Sequence, residues 1–269
     1  MKILLANYTI GGNTGSETWV YTMRNELKKG NEVRIYTLDD ILDYKPDIAI
    51  INHNTCLFSL KYLPCKKIFT SHGIIPDLEQ PIKGADVYVS VSEEVQQNLL
   101  AKGFESIIIR NPIDCEKYKS IKPTNEKLTN VLFSSHYQGK ALKVIKQACQ
   151  ELGLNLTIIG KGNQVDNPVD YINDNDLVIG LGRTAYEAMA CERNVIVYDY
   201  NGGEGLITPE TILEYRKNNC SGRRYKKDFT INDLKEELLK YNKDLGKDLR
   251  EYILENNNIK KVAKQYLEL

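Results

Sequence analysis

The run most suggestive of chemistry is Gly180-Leu181-Gly182-Arg183-Thr184-Ala185-Tyr186-Glu187-Ala188-Met189-Ala190-Cys191, followed by a short apolar stretch and Asn201-Gly202-Gly203-Glu204-Gly205. A strand, a glycine turn and a helix opening on Gly182, Arg183 and Thr184 would aim backbone N–H groups and a guanidinium at a phosphate, because a helix start carries unpaired donors and partial positive charge. Glu187, one turn further along, is placed to accept hydrogen bonds from a diol such as ribose. The blander reading is a surface ion pair between residues four apart. A second glycine-rich loop, Gly11-Gly12-Asn13-Thr14-Gly15-Ser16, precedes the first helix. Gly11 and Gly12 allow close backbone approach there and are candidates to border an anion or sugar oxygens. The spacing is not the G-x-G-x-x-G dinucleotide fingerprint.

Three histidines, His53, His72 and His136, each follow an apolar strand-like run. His72, in Ser71-His72-Gly73, would emerge at the carboxyl end of a sheet, where open α/β folds bind ligands; the alternative is a hydrogen-bonded structural histidine. Lys140 follows Gln138-Gly139 at a predicted helix start. Asp174-Asn175-Asp176 has the letters of a D-x-D metal motif, but it precedes a strand and reads as a polar turn. No metal site is expected.

The elements that must position these residues alternate regularly. Lys2 to Ala6, Glu32 to Thr37, Asp47 to Ile51, Lys67 to Ser71, Val87 to Val91 and Ser106 to Ile109 read as buried parallel strands. A helix over about Ser16 to Lys29 carries Trp19, Val20, Met23 and Leu27 on one face, and another follows Ser92 as its cap. A polar stretch from Cys115 to Asn130 then intervenes. Strands at Val131 to Ser134, Leu154 to Gly160, Leu177 to Ile179 and Val195 to Tyr198 follow, with helices over about 139–152 and 183–191. Two βαβ series imply two doubly wound sheets. The expected division is an N-terminal Rossmann-like domain over 1–112, a C-terminal one over 113–255 and a closing helix over 256–269.

Composition narrows the field. Of 269 residues, 42% are hydrophobic and 27% charged, and Lys plus Arg equals Asp plus Glu at 36 each, so no net field draws nucleic acid or anionic membrane. Lys66-Lys67 and Arg223-Arg224-Tyr225-Lys226-Lys227 could form local patches, though solvated surface charge is the favoured reading. The six scattered cysteines lack zinc spacing and read as reduced thiols in a cytoplasmic protein. No stretch approaches the roughly 18 apolar residues of a spanning helix.

The run from Gly182-Arg183 through Cys191, then Val195-Ile196-Val197 and Gly202-Gly203, resembles the donor-site core of retaining GT-B glycosyltransferases, the family 4-like group that includes sucrose synthase and bacterial mannosyltransferases. The likeness extends along most of the chain. Gly11-Gly12 through Ser16-Glu17-Thr18-Trp19-Val20 resembles the family's first βαβ unit, and Ser90-Val91-Ser92-Glu93 with Arg110-Asn111-Pro112-Ile113-Asp114 its interdomain approach. The resemblance implies two Rossmann-like domains facing a central cleft, with the nucleotide-sugar donor on the second. It matches Glu187 to the glutamate that holds the ribose, His72 to the histidine facing the transferred sugar, and Lys140 to a lysine on the donor diphosphate. Donor contacts fall on Gly11, Gly12, Gly182, Arg183, Thr184 and Glu187, and catalytic roles on His72, Lys140 and Arg183. Two positions depart from the pattern. Ile179 stands where the family carries an earlier glutamate, eight residues before Glu187, and Ser134-Ser135-His136 replaces an arginine whose charge Arg183 is the candidate to supply.

The implied reaction is transfer of a sugar from a UDP- or GDP-sugar, with retention and without an obligatory metal or other cofactor, to a sugar, lipid or glycan acceptor. A phage-type glucosyltransferase of DNA bases, a sugar-nucleotide epimerase and an inactive nucleotide-sugar-binding subunit share the architecture and stay open. Nucleic acid is the less favoured acceptor on charge.

Overall fold

The computed structural model describes every residue except Asn13, Gln138 and Asp166. The chain divides into two compact units, Met1–Pro112 with Asn257–Leu269, and Ile113–Asn256.

The first unit runs β1 (Lys2–Ala6), α1 (Gly15–Leu27), β2 (Glu32–Tyr36), β3 (Ile48–Ile51), α2 (Asn54–Ser59), β4 (Lys66–Ser71), β5 (Val87–Ser90), α3 (Glu93–Ala101) and β6 (Ile107–Ile108). Its sheet has the order β2-β1-β3-β4-β5-β6 and every pairing is parallel. Strands covered on both faces must be apolar on both, and Ile3 to Ala6 and Ala49 to Ile51 are buried without alternation. Trp19, Val20, Met23 and Leu27 of α1 join Ile3, Leu5, Ile48, Ile50 and Ile68 in one core. Thr14 and Glu17 cap α1 reciprocally, and Ser92 accepts from the Val95 amide at the start of α3.

The second unit runs β7 (Asn130–Ser135), α4 (Lys140–Glu151), β8 (Asn155–Gly160), α5 (Pro168–Asn173), β9 (Leu177–Gly180), α6 (Arg183–Ala190), β10 (Asn194–Asp199), β11 (Gly202–Leu206), α7 (Ile212–Tyr215), α8 (Ile231–Leu239) and α9 (Leu245–Asn256). The order is β11-β10-β9-β7-β8, parallel except for β11, which runs antiparallel to β10. The composition of β11, Gly202-Gly203-Glu204-Gly205-Leu206, reads as a turn. It forms a strand because its glycines admit close neighbours: a Cβ on Gly202 would meet Lys226 backbone at 2.7 Å, and one on Gly203 the Phe229 ring at 2.7 Å.

The last helix, α10 (Ile259–Glu268), returns to the first unit. Ile259, Val262, Ala263 and Tyr266 complete the core built by α1 and the sheet. The Tyr266 ring meets Trp19 edge-on at 5.6 Å, and its hydroxyl lies 3.1 Å from Thr70 Oγ1. No helix among the described residues is long and apolar enough to cross a membrane.

Candidate functional site

In the second sheet β7 has β8 on one side and β9 on the other, so successive connections diverge from β7 and leave a crevice at the carboxyl ends of β7 and β9. Open α/β folds bind ligands at such a switch point. The residues facing this edge are the end of β7, the start of α4, the β9–α6 turn and the β10–β11 turn.

The β9–α6 turn is only Leu181 and Gly182. A Cβ on Gly180 would lie 2.8 Å from Thr184 Cγ2, which fixes glycine there, and Gly182 turns the chain with φ +53°. On α6 the Arg183 Nε donates to Glu187 Oε1 at 2.7 Å, and both side chains are largely buried. The Tyr118 hydroxyl, from the polar segment ahead of β7, bonds to the same carboxylate; burial first, then the Glu187 charge, pushes the phenol's pKa up. Arg183 and Glu187 therefore form an ion pair, as helical spacing allows, but a sheltered one rather than a surface pair. A carboxylate accepts up to about four hydrogen bonds, so these two partners orient Glu187 without exhausting it.

Two expected phosphate donors are spent inside the protein. The Gly182 amide donates to the Cys220 carbonyl at 2.8 Å and the Thr184 amide to the Leu181 carbonyl at 3.2 Å. The turn thus contributes shape and the Arg183 charge more than free N–H groups. Lys140 opens α4 at the same sheet edge and pairs with Asp228, with 71% of its side chain exposed. Ile179 is wholly buried within β9, in register with Phe133 and Ile196. The position eight residues before Glu187 is therefore inside the sheet, and the isoleucine there packs in the core of the second unit.

Sequence reasoning marked Ser135 only as a departure from the family pattern and did not single out Asp199. Ser135 Oγ, at the end of β7, hydrogen-bonds Asp199 at the end of β10. Burial raises the Asp199 pKa, opposed by the Ser135 bond, the Tyr200 amide and the charge of His136. Asp174-Asn175-Asp176 lies at the opposite edge. Asp176 accepts from the amides of Asn125, Thr129 and Asn130 at 2.9, 3.1 and 2.9 Å and anchors the entry to β7, while Asp174 pairs with Lys122. Among the described residues no three His, Cys, Asp or Glu side chains gather to hold a metal ion.

In the first unit, an internal carboxylate takes part of the place the glycines of the loop after β1 suggest for an anion. It belongs to Glu17, which accepts from the amides of Gly12 at 3.1 Å and Thr14 at 3.0 Å and is itself buried. Gly11 has φ +125°, a conformation that favours glycine, and Asn13 lies outside the described residues. His72 emerges after β4, half-buried, with Trp19 edge-on at 5.5 Å. His53 is structural: its Nδ1 accepts from the Tyr8 amide at 2.8 Å, and burial lowers its pKa, so it stays neutral. Within the suggested basic patches three cations have internal partners. Lys67 is buried against the Cys65 carbonyl, Arg224 pairs with Glu214 and Lys227 with Asp233.

No family model matches the sequence, and no curated protein matches it. Solved structures do. Anabaena Alr3699/HepE in complex with UDP matches with a TM-score of 0.64 at 14% identity, covering 100% of this chain and 99% of its own. AviGT4, a glycosyltransferase involved in avilamycin A biosynthesis, matches at 0.63 and 12% identity over 99% and 96%. This is the GT-B fold. An α-glucosyltransferase in complex with UDP and a 13-mer DNA shares it more loosely, at 0.54 and 13% identity over 100% and 98%. The β9–α6 turn and its Arg183–Glu187 pair thus belong to the second Rossmann-like unit of a GT-B chain.

Proposed function

We propose that the protein is a glycosyltransferase using a nucleotide-sugar donor, UDP-sugar before GDP-sugar, with retention of configuration. The carrying observation is the buried Arg183–Glu187–Tyr118 assembly on α6 beside the switch-point crevice of the second unit. The UDP in Alr3699/HepE, a protein of the same fold over the whole chain, favours that base. Glu187 accepts from the ribose diol, held in orientation by Arg183 and Tyr118. The donor diphosphate lies along the start of α6, where Arg183 and Lys140 offset the charge that develops on the leaving nucleoside diphosphate. Lys140 gives up only an exposed ion pair to do so, and such pairs contribute little. His72 acts on the transferred sugar, and the acceptor is a sugar, lipid or glycan. The balanced net charge, with Arg224 paired to Glu214 and Lys227 to Asp233, makes a DNA acceptor the weaker reading.

Calorimetric titration with UDP, GDP and ADP tests the donor site. One nucleotide is expected to bind the wild type and to lose about tenfold or more in Glu187→Ala, since a charged hydrogen-bond partner contributes about 1.5–3 kcal/mol. Binding of none of the three, with or without magnesium, sinks the proposal.

A further inference from the structure

We propose that Tyr137 and Tyr200, with Ser135 and Asp199 beneath them, form the subsite for the donor's transferred sugar, an inference that rests on the nucleotide-sugar reading above. The two strands flanking β9 outrun it. Gly180, the last residue of β9, pairs with Val197, whereas β10 continues to Asp199 and β7 to Ser135. Over the gap where β9 turns away, Ser135 bonds Asp199, and both are buried. The aromatic rings follow, Tyr137 two residues after Ser135 and Tyr200 directly after Asp199. Tyr137 and Tyr200 sit with centroids 4.1 Å apart and planes at 43°, yet 55% and 56% of each residue is exposed.

This shelf is held in place. Ser135 Oγ accepts from the Tyr137 amide and lies within reach of the Tyr137 carbonyl, each at 2.9 Å, while Asn201 Nδ2 ties the β10–β11 turn to the Ser221 carbonyl at 3.1 Å. Gly160 matters from below, because a Cβ there would overlap the Ser135 carbonyl at 1.8 Å. Among the described residues, no other ring pair leaves both partners more than half exposed.

A pyranose offers an apolar C–H face and a rim of hydroxyl donors. Aromatic rings take the first, and carboxylate and hydroxyl oxygens the second. Position favours the sugar over the base. Ribose at Glu187, one turn along α6, and diphosphate at the α6 start leave the shelf, beyond the end of β9, to the group on the far side of the phosphates.

The test is calorimetry on the full chain with UDP, UDP-glucose, UDP-galactose, UDP-N-acetylglucosamine, GDP and GDP-mannose. At least one sugar is expected to tighten binding over its bare nucleotide. Tyr137→Ala and Tyr200→Ala should erase that gain, about tenfold, with the bare-nucleotide Kd held within about twofold. Asp199→Asn should erase part of it and Tyr200→Phe least. Unchanged sugar gain in both alanine variants overturns the subsite, as does wild-type nucleotide binding that no sugar improves. An equal loss for bare nucleotide assigns the rings to the base or phosphates instead. No nucleotide binding by the wild type defeats the donor reading itself, and the subsite with it.

Discussion

Glu79 is a partly buried carboxyl group. It lies over Gly73, so close that a Cβ there would stand 2.8 Å from Glu79 Oε2, and burial alone raises its pKa from 4.5 to about 7. The loop carrying it is pinned by Asn54 Nδ2, which donates to the carbonyls of Asp77 at 2.7 Å and Gln80 at 3.1 Å. Between about pH 4.5 and 7 the folded protein keeps a proton that the unfolded chain has released, so stability falls as pH rises through that window and stays lower above it. Glu79→Gln is expected to flatten this slope and to stabilise the protein at pH 8 by at most about 3 kcal/mol, read from urea unfolding at pH 5 and pH 8. A wild-type-to-variant difference that does not change with pH would refute it. Nothing in Asp77-Leu78-Glu79-Gln80 marks the carboxyl as sheltered, because the tie from α2 comes from 23 residues away. Glu187 and Arg183 were legible because four residues on a helix share a face, whereas Tyr118 and Asp199 come from other segments and leave no local pattern.

At the scale of elements, the parallel strands announce themselves because burial on both faces demands uninterrupted apolar runs, as in Ile3-Leu4-Leu5 and Val195-Ile196-Val197. β11 fails that rule because glycines, chosen for close approach, make it look like a turn. The short β9–α6 connection follows from the strand and helix bounds the sequence predicts, and it explains why counting back from Glu187 lands on a core isoleucine. Helix packing in the second unit is set with little tolerance. A Cβ on Gly246, in α9, would stand 2.0 Å from the Glu192 carbonyl after α6, and Arg193 donates from within the core to the carbonyls of Ile172, Lys122 and Asn173 at 3.2, 2.6 and 3.1 Å. Gly246→Ala and Arg193→Ala are each expected to cost about 3 kcal/mol or more, the first by overlap and the second by stranding buried acceptors. Thermal unfolding measures both, and a loss below about 1 kcal/mol in either would contradict that account.

At the scale of the molecule, two Rossmann-like series are readable because the alternation of strand and helix simply restarts after the polar Cys115 to Asn130 segment. The helical spacing of Ile259, Val262, Ala263 and Tyr266 also predicts α10. Its packing partner is not encoded locally, since contact with Trp19 and Thr70 spans most of the chain. Tyr266→Ala should destabilise the first unit by about 3–5 kcal/mol, the usual cost of removing a buried aromatic, and Tyr266→Phe by about 1, for the hydroxyl contact with Thr70. Nucleotide affinity measured well below the melting point is expected to survive in both, because Arg183, Glu187 and Lys140 lie in the other unit.

The return of α10 also sets an order of assembly on the ribosome. The first 112 residues emerge with their α1 face uncovered, and the helix that covers it follows only after Ile113–Asn256 has been made. At about 5–20 residues per second that interval is on the order of ten to thirty seconds. The second unit can close around its own core as it emerges, while the first waits with Trp19 packed on its sheet but lacking its contact with Tyr266. The core of the first unit is thus closed only after the second unit has been made.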